Sequence, residues 1–306
     1  MIKKIYTFGT SCTAGGGFEF ECKYPHRDLR GKITNKNRGD FIKGIYSETP
    51  YTQNNYSWPG QLQKLVSNDI QVINISKQGY GNERIYRKFY DIVDDVHFNT
   101  DESLFLFEFS DLSRKEFWHN PSNNHIIMNY LADDNDTDNC SLAKSYFYDN
   151  KSDRMIYNKD FYLFKQFRDN FMEVDNQSRE ISRNILIFIN YLKYNKINFL
   201  ITAPPELIHP YYSSHLEEMS KYYIYFGWDN GVKYNSFHRF ADLESLRIID
   251  ETNLAYRDTH PSLFANKIIS KNVFNKLIEL DYIRGTKYQL PKLINFKENL
   301  IKKINI

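Results

Sequence analysis

Four short apolar runs, each stopping at a cluster of small or polar residues, constrain this chain more than any other feature. They are Ile5 to Phe8, Ile70 to Ile75, Leu104 to Phe109 and Ile197 to Thr202. Each is short, and β-branched and aromatic residues dominate, so each reads as a buried strand. They stop at Gly9-Thr10-Ser11, at Ser76 to Asn82, at Ser110-Asp111 and at Ala203-Pro204-Pro205. Helical patterns lie between them. Ser57 reads as an N-cap with Pro59 in the first turn of a segment reaching Val66. A helix carrying Ile85, Tyr86, Phe89 and Ile92 follows the second run. Ile181, Ile185, Phe188, Ile189 and Leu192 fall on one helical face. Ser262 reads as the N-cap of a last helix bearing Phe264, Ile268, Val273, Leu277 and Leu280. Leu246 to Ile249 offers a fifth strand, and residues 206–245 show no clear period. Strands alternating with helices at this spacing predict an α/β domain with a mainly parallel sheet. Such sheets bind ligands at the carboxyl ends of their strands. Every unusual cluster here falls just after a strand. No internal repeat of about 20–50 residues is present.

Composition narrows the classes further. A length of 306 residues suits one large domain or two small ones. Forty Lys+Arg against 38 Asp+Glu give a net charge of +2, which points to neither nucleic acid nor a membrane surface as partner. Three cysteines, Cys12, Cys22 and Cys140, with no C-x-x-C argue against a disulfide framework or a structural zinc. The N-terminus has no apolar run long enough for a signal peptide, and no stretch approaches the roughly 18 apolar residues of a membrane span. The expected location is cytoplasmic, with a virion or a non-classical export route left open. The 24 Tyr and 23 Phe accompany frequent Asn, Lys and Ile, residues that share AT-rich codons. They read as genome composition in preference to a stacking surface for sugars or bases. Residues 18–57 and 115–160 read as insertions, the second as a polar excursion or mobile lid. The lysine-rich stretch 286–306 reads as an extension to a domain spanning 1–285.

Three clusters can carry chemistry. Gly9-Thr10-Ser11-Cys12-Thr13-Ala14-Gly15-Gly16-Gly17 lacks the Lys of a P-loop, the spacing of a dinucleotide fingerprint and the second Gly of a nucleophile elbow. It keeps a serine in a tight turn after a strand, where Oγ can be exposed and backbone N–H groups can converge. The plain alternative is a helix capped by Ser11 or Thr13. In Asp258-Thr259-His260-Pro261-Ser262, Asp and His two apart on an extended segment project to one side. The carboxylate can fix the imidazole through Nδ1–H and leave Nε2 to take a proton from a serine. The alternative is a surface turn with Ser262 as a cap. In Gly79-Tyr80-Gly81-Asn82, a glycine N–H and an Asn amide can form an oxyanion hole, or Asn82 can simply cap the next helix. His119, His125, His209, His215 and His238 have no metal-ligand spacing. Asp133 to Asp138 lacks the Gly and terminal Glu of a calcium loop. Cys12 reads as a small packed residue.

The three clusters in this order resemble the blocks of the SGNH (GDSL-type) hydrolase superfamily. Phe8 to Gly15 resembles the first block, which implies Ser11 as nucleophile, although Thr10 stands where the family has Asp. Asn74 to Asn82 resembles the second block and implies the Gly79 N–H as an oxyanion donor, and Ser57-Trp58-Pro59-Gly60-Gln61-Leu62 is similar to a segment often seen before it. The third block, Gly-x-Asn-Asp in the family, is here Glu108-Phe109-Ser110-Asp111, so Ser110 or Asn82 must replace the Asn donor. The last block has Asp258 two residues before His260, where three is usual. The resemblance implies a flavodoxin-like three-layer α/β/α fold and a serine esterase acting on small acyl esters. Its triad would be Ser11, His260 and Asp258, and its oxyanion donors the N–H groups of Ser11 and Gly79 with Asn82 or Ser110. It implies no cofactor and no metal. Polar and aromatic insertions favour an acetylated glycan as substrate. An O-acetyltransferase with the same triad, or a glycan-binding module on a degenerate scaffold, remains as an alternative.

Overall fold

The computed structural model describes residues 1–14, 55, 57–77, 81–110, 114–119, 124–129, 173–202, 212, 215, 219, 221–224, 227–229, 232–234, 247–249, 257–261 and 263–289. Four strands, β1 (Lys4–Phe8), β2 (Gln71–Asn74), β3 (Ser103–Phe107) and β6 (Asn198–Ile201), form one all-parallel sheet in the order β2-β1-β3-β6. These are the four apolar runs. Ile5 pairs with Val72 on one side and Leu104 on the other, and Phe107 pairs with Ile201. At the end of β6, Tyr223 adds an isolated parallel bridge to Ile201.

Side chains alternate across a strand, so each run splits into two rows. Ile5, Leu104, Leu106 and Leu200 make one face aliphatic. Tyr6, Phe8, Phe105, Phe107 and Phe199 make the other face aromatic. Helix α2 (Trp58–Gln63) and helix α5 (Leu263–Glu279) cover the aliphatic face through Trp58, Leu62, Ile268, Ile269 and Val273. Helix α3 (Asn82–Val93) and helix α4 (Val174–Tyr194) cover the aromatic face through Ile85, Phe89, Ile185, Phe188 and Leu192. The fold is therefore α/β, with helices flanking a four-stranded parallel sheet. The distribution of helices follows from topology. The chain steps outward from β1 to β2, then back past β1 to β3 and on to β6. A constant crossover hand requires the first connecting helix on one face and the next two on the other.

Part of the aromatic content has a place in this core. Tyr6 stacks on Phe105 at 5.1 Å between ring centroids, and Phe89 meets Phe105 and Phe188 edge-on at 5.1 and 5.0 Å. Such pairs each add about 0.5–1.5 kcal/mol beyond area burial.

Two departures from expectation concern strands. The fifth candidate run does contain a strand, β9 (Arg247–Ile249), but it lies outside the parallel sheet. It pairs antiparallel with β10 (Arg257–Pro261) in a two-stranded sheet. The few residues between them are too short for a parallel crossover, which takes a dozen or more. The stretch read as a polar insertion begins with an antiparallel pair, β4 (Arg114–His119) and β5 (Asn124–Asn129). Strands β7 (Gly227–Asp229) and β8 (Val232–Tyr234) form a further antiparallel pair in the stretch without a clear period. The rest of both insertions lies largely outside the described residues, as does most of the C-terminal stretch. Its first residues dock on α5, where the Tyr288 N–H donates to Asn275 Oδ1 at 2.7 Å and the Asn275 amide returns a bond to Tyr288 O at 2.8 Å. No helix among the described residues is long and apolar enough to cross a membrane.

Candidate active site

Strand β1 delivers the chain into a short helix, α1 (Ser11–Ala14), closed by the Ala14 N–H donating to Thr10 O at 2.9 Å. The turn is possible because residue 9 is Gly. A Cβ there would sit 2.7 Å from Thr13 Oγ1, 2.8 Å from Thr13 Cβ and hard against Glu108 Oε2. These approaches are closer than a real methyl tolerates, so Gly9 is fixed by crowding.

The crowding group is the carboxylate of Glu108, just beyond β3 and only 6% exposed. Phe109 continues the aromatic row into its cluster, and Glu108 turns the other way, toward α1. A carboxylate buried this far needs donors, and it has four. The Thr10 N–H and Thr13 N–H donate to Oε2 at 3.3 and 3.1 Å, and the Thr10 hydroxyl donates to Oε1 at 3.1 Å. The Thr13 hydroxyl completes the set on Oε2. Its direction is determined by a neighbour. Trp58 Nε1–H can only donate, and it donates to Thr13 Oγ1 at 3.1 Å, so the Thr13 proton is left for Glu108.

The same turn is tied to β2 and α5. Asn74, the last residue of β2, donates from Nδ2 to Thr13 O at 3.1 Å and accepts at Oδ1 from the Thr7 hydroxyl at 3.2 Å and the Ser76 N–H at 3.1 Å. The Trp58 backbone N–H donates to Asn266 Oδ1, on α5, at 2.8 Å. Helix α5 follows β10 closely in sequence, so fixing α5 against α2 also brings β10 to α1. Strand β10 touches both α1 and α5.

A second polar knot lies at the end of β3. The Ser110 N–H donates to Asn82 Oδ1 at 2.6 Å, and Asn82 Nδ2 donates to Ser110 O at 3.3 Å. The Asn82 carboxamide therefore braces Ser110, and it does not cap its helix: Gly81 is the N-cap and Asn82 the first helical residue. Ser110 is 1% exposed, and its Oγ has no hydrogen-bond partner among the described residues. The Tyr86 hydroxyl on α3 shares that condition. Burial, with the Glu83 carboxylate adding to it, pushes the Tyr86 phenol far above its ordinary value.

The residues read from the sequence fall as follows. Ser11 is the first residue of α1, described in its backbone. Asp258 and His260 lie on β10, the strand against α1. Asn82 and Ser110 are buried and bonded to each other. Gly79 lies outside the described residues. Cys12 is buried in the aliphatic core beside Trp58 and Leu62, as a small packed residue would be. Neither a family model, nor a curated protein, nor a solved structure matches the chain. The fold is thus established at the level of an α/β sheet with its helices, and the site stands on its own residues.

Sequence reading missed the role of Glu108 and the supporting set of Thr13, Trp58, Asn74 and Asn266. One signal was available. In the run Leu104-Phe105-Leu106-Phe107-Glu108-Phe109-Ser110 a carboxylate enters an otherwise apolar buried alternation. Such a group demands a cluster of donors nearby.

Proposed function

We propose that this chain is a serine esterase of SGNH type, built on a flavodoxin-like three-layer α/β/α domain. The observation that carries the proposal is the contact between α1, which bears Ser11, and β10, which bears Asp258 and His260. Its location adds support. The strand order reverses between β1 and β3, and ligands of open α/β sheets bind outside the carboxyl ends at that crevice. Ser11 follows β1 and Ser110 follows β3.

In the proposed mechanism Ser11 Oγ attacks the ester carbonyl while His260 takes its proton. Asp258 holds the imidazole by accepting from Nδ1–H. The Ser11 and Gly79 N–H groups receive the oxyanion, each donor being worth about 3–4 kcal/mol in the transition state. Of the two substitutes for a third donor, Ser110 Oγ fits better, because the Asn82 carboxamide is engaged at both ends by the Ser110 backbone. His260 then protonates the leaving alcohol. Water, activated by the same imidazole, adds to the acyl-enzyme and releases the acid with Ser11 regenerated. The chemistry calls for neither cofactor nor metal. The preferred substrate class is an acetyl ester of a carbohydrate; a sugar hydroxyl in place of water would make the enzyme an O-acetyltransferase.

Thr10 and Ser110, at positions where the resembled blocks carry Asp and Asn, favour a second reading as a glycan-binding module without turnover. Hydrolysis of p-nitrophenyl acetate and acetylated oligosaccharides separates the two. The esterase releases acetate, and Ser11→Ala and His260→Ala lower kcat/KM by at least about 10³-fold. Glycan binding without acetate release, unchanged by Ser11→Ala, would establish the module.

A further inference from the structure

We infer that Glu108 is a positioning residue for the nucleophile, acting through the two threonines that bracket Ser11. The inference rests on the esterase reading and adds to it a residue that no triad logic supplies. Thr10 precedes Ser11 directly and Thr13 follows it by two. Glu108 holds both, each by its backbone N–H and its hydroxyl. Four donors on one buried carboxylate fix the turn on both sides of Ser11 relative to the end of β3. That same end carries Ser110, two residues on, itself braced by Asn82. One short segment, Glu108 to Ser110, therefore sets the nucleophile and the third oxyanion donor in a common frame.

The supports outside Glu108 do not duplicate it. Trp58 reaches Thr13 only at the hydroxyl, and Asn74 only at the carbonyl. Removing the carboxylate leaves the Thr10 and Thr13 amides without their acceptor. A Gln at 108 keeps the shape but loses the charge: an NH₂ at the Oε2 position would face three donors, and an NH₂ at Oε1 requires the Thr10 hydroxyl to turn from donor to acceptor, so the charge-assisted bonds that hold the turn are weakened either way. The consequence for chemistry is a serine displaced from its attack position, and a displacement of about 1 Å costs on the order of 100-fold in rate.

The test compares wild type, Glu108→Gln, Thr10→Val and Thr10→Ser in steady-state acetyl-ester hydrolysis, each assayed well below its own melting temperature. The concentration of folded protein is set by circular dichroism. Glu108→Gln is expected to lower kcat by about 10- to 100-fold with KM nearly unchanged, because the lost placement acts on the reacting atom. Thr10→Val, which removes one donor to the carboxylate, is expected to lower kcat in the same sense, and Thr10→Ser, which keeps the hydroxyl, to restore it. If Glu108→Gln fails to fold, the threonine pair decides. Equal kcat in folded Glu108→Gln and wild type, or in Thr10→Val and Thr10→Ser, overturns the inference while a Ser11-dependent wild-type activity leaves the esterase reading intact. Wild-type hydrolysis that does not depend on Ser11 overturns both.

Discussion

Replacing Gly9 by Ala perturbs the site through a single methyl group. The added Cβ would meet Thr13 Oγ1 at 2.7 Å, Thr13 Cβ at 2.8 Å and the Glu108 carboxylate. None of these can swing away freely. Thr13 is fully buried in α1 and bonded to Trp58 and Glu108, and Glu108 is held by four donors. Overpacking a filled interior costs about 1–3 kcal/mol. Displacing the carboxylate far enough to break one of its bonds adds about 1.5–3 kcal/mol, the usual worth of a hydrogen bond to a charged group. A central expectation is about 4 kcal/mol, or a melting temperature lower by roughly 8–16 °C for a domain of this size. Urea unfolding followed by circular dichroism measures it. The attribution to Glu108 is checked by repeating the substitution in a Glu108→Ala background, where the methyl finds room and its cost should fall by at least about 1 kcal/mol. A Gly9→Ala protein within about 0.5 kcal/mol of wild type, or a cost unchanged without Glu108, would refute the reasoning.

Two other substitutions test the aromatic face. Phe89→Ala, which removes a fully buried ring in contact with Phe105, Phe107 and Phe188, should cost about 3–5 kcal/mol in urea unfolding. Tyr86→Phe should change stability by no more than about 1 kcal/mol at neutral pH, since the hydroxyl has no hydrogen-bond partner among the described residues. Because folding raises the Tyr86 value above 10.0, the folded protein holds that proton where the unfolded chain releases it, and stability falls as pH rises past about 10. Tyr86→Phe should make this alkaline decline shallower, though not flat, because Tyr90 and Tyr282 are raised as well. Urea midpoints from pH 7 to 10.5 would show equal slopes if the phenol were not buried as described.

The parallel sheet was legible because strands buried on both faces read as nearly continuous apolar runs. Helices α4 and α5 were legible because one face of each carries the apolar period, as Ile185, Phe188 and Leu192 show in α4 and Val273 and Leu277 in α5. The β4–β5 pair was not, because Arg114-Lys115-Glu116 and the Asn residues around 120–124 look like loop composition until the partner strand is known. For β9 the strand was legible but its partner was not, since a run as short as Arg247-Ile248-Ile249 does not say which edge it joins. In the candidate site, Ser11 was singled out by its small-residue turn after β1 and by the resemblance of that block, and Asp258 and His260 by their spacing of two. Glu108 could not be assigned a task from the sequence alone, because its four donors lie 95 and 98 residues away. The neighbourhood of α1 and β10 likewise joins segments far apart in the sequence, as does the bond from Trp58 to Asn266, 208 residues apart.

Covalent labelling with a fluorophosphonate, read by intact mass and peptide mapping, asks whether Ser11 is an activated nucleophile. Wild type is expected to gain one adduct, mapped to Ser11, and Ser11→Ala and His260→Ala to gain none on the same timescale. A folded wild type that takes no label, or a label that persists in Ser11→Ala, would contradict the esterase and leave the binding module as the reading to pursue.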